Sequence, residues 1–163
     1  MAEFKEAPAI LIDLADELIE QWHPHLKEAR IGFVLRDESQ TSKGKEVYGG
    51  AGTVPDKYKP QLDDLEFYIW IAKPALNWQP ERLRDLLDHE LYHCTFNANT
   101  GNPMIRPHDI EEFHVIIERH GFWNQDLFEL QRNMEKQLKL PISEVPRTGK
   151  VVAINPMALD GMD

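Results

Sequence analysis

His89 and His93 stand four residues apart in a stretch, residues 81–96, whose Leu83, Leu87, Leu91 and Cys94 recur at helical spacing. A helix turns about 100° per residue, so positions i and i+4 lie one above the other, about 40° apart around the axis. The two imidazoles therefore point to one side while the leucines anchor the other. The five residues His89-Glu90-Leu91-Tyr92-His93 spell H-E-x-x-H. Imidazoles so placed can reach one Zn²⁺ at about 2.0–2.1 Å. Glu90 lies on the neighbouring strip of the helix. It is too close in sequence to share the ligation comfortably, yet well placed to take a proton from a metal-bound water, whose pKa falls toward about 7.

A catalytic zinc site needs a third protein ligand and an open position for water. His108 is the first choice, with fourteen residues between it and His93. It precedes a segment that reads as a helix and can project back over the first. Glu112 and Glu111 are the rivals. Glu112 has a competing local job, because Asp109 and Glu112 have the spacing of a capping box. Glu111 reads equally well as a solvated side chain. His114 and His120 read as structural, and His23 and His25 flank Pro24 in what resembles a helix-exit turn. Cys94 falls on the core stripe and reads as a packed thiol. Tyr92 faces away from the histidines.

The remaining chain predicts α+β, with helices and strands segregated. Pro8 can open an N-terminal helix with Leu11, Leu14, Leu18 and Trp22 on one face. Residues 31–35 read as a strand and residues 37–45 as a polar loop or hairpin tip around Gly44. Residues 47–54 carry Gly49, Gly50 and Gly52, which suits either a strand with bulges or a close-approach loop. Residues 65–71 form the best strand, with Leu65, Phe67, Ile69 and Ile71 on one face. Its edge could pair with an extended peptide over the metal, or it could be a core strand. The strands are expected to make a small, mostly antiparallel sheet. A polar loop spans 97–107. A helix capped by Asp109 then buries Ile110, Phe113 and Ile117 and stops at Gly121. A last helix capped by Asn124 turns Leu127, Leu130, Met134 and Leu138 inward, up to Pro141. Residues 1–140 are expected to form one domain, and residues 141–163 an extended or disordered tail.

Composition narrows the function. The 163 residues include 18 Lys and Arg against 28 Asp and Glu, a net charge of −10. That argues against general nucleic-acid binding or an anionic membrane surface, both of which require a basic footprint. One cysteine excludes an internal disulfide framework and suits a reducing compartment. No apolar run approaches the roughly 20 residues of a membrane span. The expected location is the cytoplasm.

Several stretches together resemble a known family: Trp78-Gln79-Pro80-Glu81, then residues 86–93, then His108-Asp109-Ile110-Glu111-Glu112-Phe113. They resemble the putative phage metallopeptidase family, which belongs to the zincin-like group and is similar to the SprT-like proteases. The likeness extends upstream through residues 25–31 and 44–52 and covers most of residues 22–123. It implies a zinc-dependent hydrolase of proteins or peptides. The implied ligands fall on His89, His93 and His108, and the implied catalytic glutamate on Glu90. Two other functions fit parts of the pattern: a non-catalytic, zinc-containing phage interaction protein, and a zinc hydrolase acting on a non-protein amide such as a cell-wall crosslink. Glu90 favours catalysis, because a structural zinc site has no need of that carboxylate and closes its fourth position with a ligand.

Overall fold

The computed structural model describes residues 1–138, and the expected tail at 141–163 lies outside them. The chain divides into two compact units, Met1–Pro107 and His108–Asp163.

In the first unit, β1 (Phe4–Glu6) leads into α1 (Ala9–Trp22). Pro8 stands at the N-cap of α1, and its carbonyl accepts from Leu11 N–H at 3.0 Å. Leu11, Ala15 and Leu18 face inward, but Trp22 is 61% exposed. β2 (Ile31–Arg36) follows, then the hairpin of β3 (Gln40–Ser42) and β4 (Lys45–Val47). The hairpin turns on Lys43 and Gly44, both at positive φ (50° and 76°), which suits the right-handed twist of the flanking strands.

β5 (Gly49–Thr53) and β6 (Phe67–Ala72) complete a sheet of order β1-β2-β6-β5. The sheet is mostly antiparallel, as expected, but its central pair, β2 and β6, runs parallel, which makes it mixed. β6 is hydrogen-bonded on both edges, to β2 and β5. It is therefore the core strand of the two readings, with Phe67, Ile69 and Ile71 fully buried, and no edge of it remains to take a peptide. The glycine-rich stretch is a strand because β6 covers it. Gly50 lies opposite Trp70 and Gly52 opposite Tyr68, and a Cβ at either glycine would meet that aromatic ring.

α2 (Pro80–His93) packs Leu83, Leu87 and Leu91 into one cluster with Leu11 and Leu18 of α1 and the inner face of β6. Each such leucine contributes roughly 1.5–3 kcal/mol by leaving water. The helix stops at His93, three residues before the expected end. Cys94 adopts extended backbone and opens β7 (Cys94–Phe96), which pairs antiparallel with β8 (Pro103–Ile105) inside the expected loop. Cys94 is nevertheless fully buried in the core cluster.

In the second unit, α3 (His114–His120) and α4 (Gln125–Gln137) follow residues 108–113. The capping box does not form: α3 begins after Phe113, with no side-chain cap. Glu112 instead accepts from Phe113 N–H at 2.7 Å and from Trp123 Nε1–H at 2.9 Å. Phe113 (74% exposed) and Ile110 are not on a buried face, and neither are Met134 and Leu138. Gly121 does stop α3, at φ 67°. Asn124 does cap α4, accepting from Leu127 N–H at 3.0 Å. No described helix is long and apolar enough to cross a membrane.

Candidate functional site

The leucine stripe of α2 decides which side of that helix meets solvent. With Leu83, Leu87 and Leu91 buried, His89 is left exposed and His93 half-buried. Their Nε2 atoms are 3.2 Å apart. Two nitrogens each about 2.0–2.1 Å from one tetrahedral ion would be separated by about 3.3–3.4 Å, so the pair fits a shared zinc. His93 Nδ1 lies 2.6 Å from the carbonyl oxygen of Arg106. A carbonyl can only accept, so Nδ1 carries the proton and Nε2 presents its lone pair, the arrangement a metal ligand requires.

The chain is also tied back at the same place by Arg106 N–H, which donates to the His93 carbonyl at 2.7 Å. His108 is only two residues beyond Arg106, a reach of about 7 Å. His89, His93 and His108 each offer one ligand nitrogen, and these lie within 4.8 Å of one another. The rivals stand differently. Glu112 is engaged by Phe113 and Trp123, as described above, and Glu111 is exposed. His114 and His120 are exposed.

Glu90 is 4% exposed, and burial pushes its carboxyl up to about 7. The close approach of β5 creates that burial. A Cβ on Gly49 would sit 3.0 Å from Glu90 Oε1 and 3.2 Å from its Cγ, so glycine at this position leaves the space the carboxylate occupies. Burial also pushes the neighbouring Cys94 thiol up to about 12, with the Glu90 charge adding to it, which agrees with an inert, packed cysteine.

A cleft of about 420 Å³ opens beside Glu90 and His89, between the β4–β5 segment and α2. Trp78 and Tyr48 meet edge to face across it, 4.7 Å between centroids. The Arg82 guanidinium stacks on Trp78 at 3.9 Å, and Tyr48 O–H donates to Glu46 at 2.7 Å. Residues 82, 85, 86, 89, 90 and 93 follow one stripe of the helix, so the cleft leads from the histidines toward the start of α2. Sequence reasoning named none of Gly49, Tyr48, Trp78, Arg82 or the Arg106 carbonyl as site residues. The signals were the glycine run, as a possible close-approach loop, and the place of Trp78 and residues 44–52 in the family resemblance.

The model of the putative phage metallopeptidase family matches residues 2–136. No curated protein and no solved structure matches the chain.

Proposed function

The chain belongs to the putative phage metallopeptidase family, and from that premise we propose that it is a zinc-dependent peptidase of the zincin-like group. In this reading His89, His93 and His108 hold the metal, Glu90 is the general base, and residues 1–140 form the peptidase domain. The observation that carries it is the juxtaposition on α2 of two imidazole Nε2 atoms 3.2 Å apart with a buried carboxylate that lines a cleft. A purely structural metal site has no use for that carboxylate.

When bound, zinc would polarise the scissile carbonyl and acidify a water. The chain's own residues supply the rest. The Arg106 carbonyl holds the His93 ring in the ligating tautomer. Glu90, kept from bulk water by Gly49 and Leu86, takes the proton of the attacking water and returns it to the leaving amine nitrogen. The cleft walls exclude solvent and seat the side chain next to the scissile bond. β5 is the edge strand that carries the cleft-lining Gly49, so its outer edge would receive an extended substrate.

The test is a panel of peptides and muropeptides with zinc-loaded wild type and Glu90→Gln. The expected result is peptide cleavage by the wild type, lost in Glu90→Gln while zinc is retained. Cleavage of muropeptides alone would move the substrate to a non-protein amide. Cleavage undiminished in Glu90→Gln would remove Glu90 from the mechanism.

A further inference from the structure

The turn between α1 and β2 has a polar inventory that the peptidase chemistry does not use. His23 is 2% exposed, and its Nε2 lies 2.6 Å from Asp88 Oδ1. Its Nδ1 is buried without a partner. Among the described residues, the bond to Asp88 is therefore the one hydrogen bond that compensates for burying this ring, and the acceptor fixes the proton on Nε2. Two residues on, His25 Nε2–H donates to the Cys94 carbonyl at 3.2 Å. Pro24 stiffens the link between them, and Leu26, buried in the core, accepts its place through Leu26 N–H donating to His23 O at 2.9 Å.

Asp88 and Cys94 are the residues immediately before and after the five-residue motif. The two histidines of one rigid turn thus bracket the segment that carries both helix-borne ligands. That segment is the end of α2, where the last carbonyls have no partner within the helix and the turn would otherwise fray. Two carbonyls at this end are taken up from outside, His93 O by Arg106 N–H and Cys94 O by His25.

We infer that the His23-Pro24-His25 turn is a positioning clamp: by gripping Asp88 and the Cys94 carbonyl it keeps the end of α2 from fraying, so that His89 and His93 stay at their helical spacing and the affinity for the metal is maintained. The clamp rests on the metal reading proposed above. The Asp88 side chain is 45% exposed, so it gains little from burial, and its role is to give His23 a handle on the helix one residue ahead of a ligand. His23, in turn, makes no contact with the cleft.

The experiment titrates zinc against a chromophoric chelator, using the full chain at a temperature where every variant is folded by circular dichroism. Asp88→Ala and His23→Phe are each expected to weaken zinc binding about tenfold or more. Asp88→Asn, which keeps an acceptor oxygen for His23, is expected to stay within about threefold of wild type. The double variant His23→Phe/Asp88→Ala is expected to be no weaker than the weaker single, because both remove one interaction. Leu14→Ala, which loosens α1 away from the turn, is expected to leave zinc affinity within about twofold. If His23→Phe does not fold, Asp88→Ala, at a half-exposed side chain, is the deciding variant. Wild-type affinity in Asp88→Ala overturns the clamp alone. A wild type that takes up no zinc overturns the metal reading and the clamp with it.

Discussion

His89 and His93 ride on α2 above Leu83, Leu87 and Leu91, all buried in the core, whereas residues 108–113 form no helix and leave Ile110 and Phe113 exposed. The backbone at the end of α2 is bonded from outside at His93 and Cys94. In residues 108–113, by contrast, the Glu112 side chain is spent on Phe113 N–H and Trp123. The contrast separates two ways in which the proposed metal site would be supplied. A helix that is half core would offer two nitrogens at a spacing set by its own geometry. A short irregular stretch, bonded two residues upstream at Arg106, would offer the third.

Five substitutions sharpen that contrast. Glu90→Gln keeps the shape of the side chain but cannot take a proton, and turnover on a peptide that the wild type cleaves should fall by about 10²–10⁴. Zinc content measured alongside should not change. Leu87→Ala should cost about 2–5 kcal/mol of stability in urea unfolding, while Phe113→Ala should stay within about 0.5 kcal/mol. Equal costs at the two positions would erase the difference between the regions. Gly49→Ala places a methyl against Glu90 and Leu86. It should cost about 1–3 kcal/mol and lower turnover as well, and undiminished turnover would mean that β5 does not set the position of Glu90. Glu112→Ala leaves Phe113 N–H and Trp123 Nε1–H without their acceptor and should cost about 1–2 kcal/mol, with zinc retained.

The parts of this molecule that were legible in its sequence are those set by neighbours along the chain. The leucine spacing of α2, the alternation in β6, the stop at Gly121 and the cap at Asn124 all depend on residues within about four positions of one another, and each is found where expected, except that β6 opens at Phe67 and leaves Leu65 outside it. The features that escaped depend on distant partners. Residues 47–54 stood open between strand and loop, and β5 is a strand because Trp70 and Tyr68 lie over its glycines. α2 ends at His93 because Cys94 pairs with Ile105 of β8. The Asp109–Glu112 pattern is a legitimate cap signal, but Trp123 competes for the carboxylate and wins. The same division runs through the candidate site. His89, Glu90 and His93 declare themselves by spacing. The Arg106 carbonyl, the Gly49 cradle and the grip of His23 on Asp88 exist only once strands and helices have met.

The central claim is that three histidines hold one metal ion beside Glu90. Its most direct test is zinc content by plasma mass spectrometry on untagged wild type, His89→Ala, His108→Ala and Glu112→Ala. About one zinc per chain is expected in the wild type and in Glu112→Ala, and little in either histidine variant. Zinc retained in His108→Ala but lost in Glu112→Ala would move the third ligand to the glutamate, and a wild type that binds none after zinc is added back would contradict the account.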